Sequence, residues 1–245
     1  MREAIIKFEN VHKSFGKKKV HQGIGFEVYP GEVLSLMGGS GSGKSVLLRS
    51  LIGLEKPDQG KILFDGKDIT KLSEEELVSV RKKIAYVFQY GALFDSITVH
   101  ENLAYPLREH TQLNETQIHE KVMATLTKLG LQGSEYLLPS GLSGGMQRRV
   151  GVARSIIMDP EIILYDEPTT GLDPFNTAQI VKIIQQLKSQ GATSILVTHD
   201  MPTIFKVSDR VAFLKEGKIA TIDTAEKIEH STVSGVDKFI HGEAW

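Results

Sequence analysis

Apolar residues in the first third of the chain recur in short runs: Ile5–Val11, Gly25–Tyr29, Val33–Met37 and, after the turn Pro57-Asp58-Gln59-Gly60, Lys61–Asp65. Runs of this length, bounded by glycine, proline and aspartate, predict β-strands. From about Thr98 to Met158 the pattern becomes helical. Ser73…Glu76 and Thr98…Glu101 have capping-box spacing, and Asn114 can cap a helix running towards Leu129. Strand and helix then alternate: Ile162–Tyr165, a helix Phe175–Gln190 opened by Asp173-Pro174, Ser194–Val197, Val211–Leu214, and a last strand near Ile219–Ile222. These later strands are apolar throughout and do not alternate, as strands of a parallel sheet buried on both faces do. The expected fold is therefore α/β, with an antiparallel β patch near the N-terminus and a helical lobe inserted at about 90–158. No repeat, low-complexity tract or Pro/Ser linker divides the 245 residues, so a single domain is expected, with a short tail at about 223–245.

Composition narrows the function. With 29 basic and 30 acidic side chains the net charge is −1, so no basic field exists to hold nucleic acid, and none is expected as a partner. The absence of cysteine excludes a disulfide framework, a cysteine-ligated zinc site and a thiol nucleophile. The longest apolar run, Ile84–Phe88, has five residues, against the roughly 20 that span a bilayer. The first residues show neither a signal-peptide core nor a transit segment. A role at a membrane would require another chain to hold this one there.

The chemistry begins where the strand Val33–Met37 ends. The run GGSGSGKS at Gly38–Ser45 opens a helix over Val46–Ile52, which is the P-loop pattern in its strand–loop–helix context. Glycines let successive N–H groups turn inward on phosphate oxygens, and the helix adds the positive end of its dipole. Gly38, Gly39, Ser40, Gly41, Ser42, Gly43, Lys44, Ser45 and Val46 form the candidate phosphate site. Lys44 is suited to the β/γ-phosphates, and the Ser45 hydroxyl to Mg²⁺. A flexible linker would not carry the Lys-Ser ending, and the glycine spacing fails the dinucleotide fingerprint.

Four strand residues later in the chain deliver two adjacent carboxylates, Asp166 and Glu167, at the end of a sheet where ligands bind. Asp166 suits Mg²⁺ in its outer shell, and Glu167 suits the general base that polarises water. Alternation along the strand is expected to aim the two in different directions. His199 follows the neighbouring strand and would lie beside the γ-phosphate. Gln89, after Ile84–Phe88, can offer an amide oxygen to Mg²⁺ or water.

Leu142-Ser143-Gly144-Gly145-Met146-Gln147 precedes another helix, so a serine cap, two glycines and a helix dipole make a second anion site. The run LSGGMQRRVGVAR resembles the signature sequence of the ATP-binding-cassette (ABC) family. The resemblance extends over about Ile5–Thr221 and implies a RecA-like P-loop ATPase core, ATP and Mg²⁺ as ligands, and a head-to-tail pair of copies. In that pair Ser143, Gly144 and Gly145 of one copy would close on ATP held by the other. Phe15 corresponds to the adenine-stacking aromatic, Gln89 to the Q-loop, Thr170-Gly171-Leu172-Asp173 to the D-loop, and His199 to the switch histidine. Gly171 departs from the common D-loop pattern, while Asp173 keeps to it.

The stretches Tyr90–Phe94, Asn102–Leu113 and Met201–Ile219, with Val236, Phe239 and Ile240 near the end, resemble ATPases of Mla-type phospholipid transporters. That resemblance implies a membrane permease gripped through the helical lobe, an MCE-type lipid-binding protein in the complex, and a peripheral place on the cytoplasmic side of the inner membrane. An importer of another small substrate and a soluble ABC ATPase of iron–sulfur cluster assembly remain open alternatives. The apolar tail residues are expected to pack on their own subunit; Trp245 as an anchor on a partner has no support in the sequence.

Overall fold

The computed structural model describes residues 3–232 and 234–243. In chain order its strands are β1 (Ile6–Phe15), β2 (Lys18–Val28), β3 (Val33–Gly38), β4 (Gln59–Phe64) and β5 (Lys67–Asp68). They continue with β6 (Ile84–Val87), β7 (Ile162–Asp166), β8 (Thr193–Val197), β9 (Arg210–Lys215) and β10 (Lys218–Thr224). The helices are α1 (Lys44–Leu51), α2 (Glu74–Arg81), α3 (Val99–His110), α4 (Glu115–Lys128) and α5 (Gly144–Ile156). They end with α6 (Pro174–Ser189), α7 (Met201–Val207), α8 (Ala225–Glu229) and α9 (Ser234–Ile240).

Two sheets form, ordered β2-β1-β4-β5 and β10-β9-β3-β8-β7-β6. The first is antiparallel; in the second, β9, β3, β8, β7 and β6 run parallel and β10 closes the edge antiparallel. The expected α/β architecture with an antiparallel patch is thus observed. The buried strands still alternate, but between two cores. Leu34, Leu36, Ile162, Leu164, Ile195 and Val197 face a core shared with α1 and the antiparallel sheet. Ile163, Tyr165 and Leu196 face the other way, onto α6 and the helical lobe. Burying each such side chain is worth about 1.5–3 kcal/mol, and the few polar residues in these strands, Ser35, Thr193 and Ser194, are small and equally buried.

The second core runs without a break from Ile163 and Tyr165 into Leu103, Ile118, Val122 and Val150, so sheet and lobe share one interior. Ser73 and Asn114 form reciprocal capping boxes with Glu76 and Gln117. Thr98 caps α3 on one side only, accepting from Glu101 N, while the Glu101 carboxylate is taken by Arg108. β2 begins at Lys18, seven residues before the expected start. Its first half carries polar residues and is held by backbone pairing to β1 in a hairpin (Phe15↔Lys18, Lys13↔His21). In the tail, Val236, Phe239 and Ile240 pack on Met37, Ile204 and Phe213 of the same chain, as expected. Trp245 lies outside the described residues.

Candidate nucleotide site

β3 delivers the glycine-rich loop to the sheet's C-terminal edge, and α1 leaves from it. Gly43 has φ +101°, and a Cβ there would come within 2.5 Å of Val20 and 2.6 Å of the His21 ring; only glycine fits. The loop borders a cavity of about 490 Å³ lined by Phe15, Lys18, Ser40, Lys44, Ser45, Glu167 and His199, with Val20, Gly38, Gly41, Gly43, Val46, Arg49 and Val197 around them. Lys44 folds back on the loop: its Nζ donates to the carbonyls of Gly38 (2.8 Å) and Gly39 (3.0 Å). Burial holds its pKa below the ordinary lysine value, against the pull of Glu167 and Asp166.

The two carboxylates take different partners. Asp166 accepts from Ser45 Oγ at 2.6 Å on one oxygen and from the Tyr86 hydroxyl at 2.7 Å on the other. Glu167 lies past the strand end with φ +52°, its N–H donating to Val197 O at 2.8 Å. Its Oε2 accepts from Thr170 Oγ1 at 2.9 Å and sits 3.0 Å from His199 Nδ1. The divergence therefore comes from a left-handed residue just beyond β7, not from alternation within the strand.

Tyr86 is a site residue the sequence reading missed. Its signal was a tyrosine inside the apolar run Ile84–Phe88, since a buried phenol needs a partner. Burial and Asp166 push its hydroxyl pKa well above the ordinary tyrosine range. Thr170 was noted only as part of the D-loop.

Other expected residues stand away from this cavity in the single chain. Gln89 lies in the turn after β6, closed by Gly91 N to Phe88 O, and is not among the lining residues. Asp173 caps α6, with its carboxylate bound to the backbone and side-chain nitrogens of Asn176. Ser143 caps α5 by accepting from Met146 N, and neither it nor Gly144 or Gly145 reaches the cavity. A Cβ on Gly145 would collide with the Asn176 side chain at 1.9 Å, so that glycine is needed for packing within the chain as well.

Residues 21–170 match the family model for ABC transporters. The chain belongs to the ABC transporter family. It is 39% identical over 245 residues to an intermembrane phospholipid transport ATP-binding protein, MlaF, of Haemophilus influenzae, covering all of this chain and 93% of that protein. It is 39% identical to MlaF of Escherichia coli, covering 98% and 90%. A probable ribonucleotide transport ATP-binding protein, mkl, of Mycobacterium leprae is 40% identical, with 97% of this chain and 69% of that protein covered. Among solved structures, the dimeric post-hydrolysis cassette MJ0796 bound to ADP and phosphate superposes with TM-score 0.82 at 30% identity, covering 90% of this chain and 98% of that one. CbiO1 of Clostridium perfringens superposes with TM-score 0.86 at 29% identity, covering 96% and 94%.

As an ABC transporter ATPase, the protein binds ATP with Mg²⁺ and hydrolyses it. The residues present suit that ligand: a cradle closed to any Cβ at Gly43, a buried ammonium on loop carbonyls, and a hydroxyl–carboxylate pair at its edge. No helix of the described residues is long and apolar enough to cross a membrane.

Beneath the cassette's phosphate loop sits His21, 1% exposed, whose Nε2–H donates to Gly43 O at 3.0 Å. Its Nδ1 is buried without a hydrogen-bond partner among the described residues. Burial lowers its pKa, aided by Lys13 and opposed by the Gly43 bond, so folding favours the neutral ring relative to the unfolded chain. The unfolded chain takes up a proton as pH falls below the ordinary imidazole value of 6.5, so the folded state loses stability there. As pH falls from about 7 to about 5.5 the loss from this group is expected to grow. Thermal melts of His21→Leu should show a shallower decline over that range; an unchanged slope would remove His21 from the balance.

Proposed function

We propose that the chain is the motor of a membrane transporter that moves phospholipid, and that it works as a head-to-tail pair of copies. The observation that carries this reading is end-to-end agreement with the phospholipid-transport relatives, of which it spans 90–93% at 39% identity. The ribonucleotide-named relatives are as similar in sequence, but the chain spans only 66–69% of them. In this reading a membrane permease docks on the helical lobe, an MCE-type lipid-binding protein completes the complex, and the ATPase sits on the cytoplasmic side of the inner membrane.

The site residues then take the following roles. Phe15 stacks on adenine, with Lys13 Nζ 5.0 Å from its ring centroid. The loop from Gly38 to Val46 and Lys44 hold the phosphates. Ser45 would supply its hydroxyl to Mg²⁺, and Asp166, hydrogen-bonded to that hydroxyl, would hold its orientation from the outer shell. Glu167 accepts the proton of the attacking water, and His199 holds the γ-phosphate side of that water. Gln89 would offer its amide oxygen to the metal or to the attacking water. Ser143, Gly144, Gly145 and Asp173 complete the site of the opposite copy, which accounts for their distance from the cavity of their own.

Affinity purification of the tagged chain from gently solubilised membranes, with protein and lipid mass spectrometry, tests the assignment. The expected result is a polytopic membrane protein, an MCE-type protein and bound phospholipid. Recovery with a soluble iron–sulfur scaffold, or turnover stimulated by ribonucleotides and not by lipid, overturns it.

A further inference from the structure

Arg148 on α5 is 6% exposed, has no carboxylate partner among the described residues, and leaves Nη1 buried without a hydrogen bond. An uncompensated buried cation is costly, and burial lowers its pKa accordingly. What the guanidinium does touch joins two parts of the protein. On one side it lies 5.7 Å from the centroid of the Tyr90 ring, in the turn that follows Gln89. On the other, Nη2 donates to the carbonyl of Thr170 at 3.0 Å. The Thr170 hydroxyl in turn donates to Glu167 at 2.9 Å.

The turn after β6 is seated firmly on this helix. A Cβ on Gly151 of α5 would come within 2.5 Å of Gly91 Cα, so the two backbones touch directly. Arg154, one helical turn further on, donates to the carbonyl of Ala92. Tyr90 itself is 80% exposed, the end of the series open to another molecule.

We infer that Arg148 is a positioning residue that sets the Glu167 carboxylate, through Thr170, according to how the Tyr90 turn is seated on α5. The inference rests on Glu167 being the base. A shift of the turn moves the Tyr90 ring, the guanidinium follows it, and the Thr170 carbonyl and hydroxyl carry the shift to the carboxylate. Contact alone does not establish coupling; a double-mutant cycle measures it.

Steady-state ATPase measurements on the full chain supply the test. Arg148→Gln and Thr170→Val should each lower kcat about tenfold and leave the KM for ATP within about twofold, because neither touches nucleotide. Tyr90→Ala should lower kcat about threefold in the native background and not further in Arg148→Gln. Tyr90→Phe, which keeps the ring, should restore kcat relative to Tyr90→Ala. Unchanged kcat in Arg148→Gln, or effects of Tyr90→Ala and Arg148→Gln that multiply independently, overturns the inference. Should Arg148→Gln fail to fold, the cycle between the exposed Tyr90→Ala and Thr170→Val decides in the same way. Glu167→Gln, assayed alongside, separates the two failures. If it stays active, the reading of Glu167 as base falls; if it is inactive while the Arg148 and Tyr90 variants are normal, only the coupling falls.

Discussion

Glu167→Gln is expected to lower ATP turnover about 10²–10⁴-fold while ATP still binds. The amide keeps the shape of the carboxylate and can still accept from Thr170 Oγ1, so the left-handed turn after β7 need not rearrange. What it loses is the ability to take a proton from water. Lys44, Ser45 and Asp166 are untouched, so nucleotide affinity should stay within a few-fold of the native value. With hydrolysis blocked and binding intact, the ATP-closed pair has no route to open, and sedimentation velocity with Mg²⁺ and ATP should show dimer accumulating. Near-native hydrolysis would move the base elsewhere in the cavity, with His199, 3.0 Å away, first in line.

The parts of this site visible from sequence are those whose chemistry is local. The phosphate loop needs a strand, a glycine-rich turn and a helix in succession, and all three lie between Val33 and Leu51. Asp166 and Glu167 are adjacent in the chain and stand at a strand end, so that the two carboxylates take different partners was legible too. The backbone cause was not, because a positive φ at a glutamate has no sequence signal of its own.

Tyr86, His21 and Arg148 escaped for a different reason. Each acts on a residue far away in the chain (Asp166, Gly43 and Thr170), brought near by strand pairing or helix packing. His21 lies in the polar first half of β2, where hydropathy predicted no strand, so nothing marked it as buried. The sheet's two-sided burial, by contrast, was plain from unbroken apolar runs; which core each side chain serves depends on the order β9-β3-β8-β7-β6, which no single strand encodes. Gln89, Asp173 and the Ser143–Gly145 turn form a third group. They were assigned to the nucleotide from family resemblance, and one folded chain leaves them outside its own cavity.

That separation makes the second large effect. Ser143→Arg is expected to abolish hydrolysis although Ser143 lines no part of the chain's own cavity. The substituted side chain removes the cap that accepts from Met146 N and places a long cation where the opposite copy's nucleotide would enter. Lys44→Ala should be equally inactive, by weakening phosphate binding. Mixing the two inactive proteins then decides the geometry. In a mixed pair, the intact phosphate loop of the Ser143 variant meets the intact signature turn of the Lys44 variant, and the other site carries both defects. Random pairing makes half the pairs mixed, each with one good site of two, so the mixture should recover roughly a quarter of native turnover if the sites act independently. Where the sites act only together, each mixed pair should still trap one nucleotide, which filter binding counts. A mixture that neither hydrolyses nor traps ATP, or a Ser143→Arg protein that hydrolyses normally as a monomer, would show that each chain completes its own site. The signature turn would then be left with its packing against Asn176 as its only role.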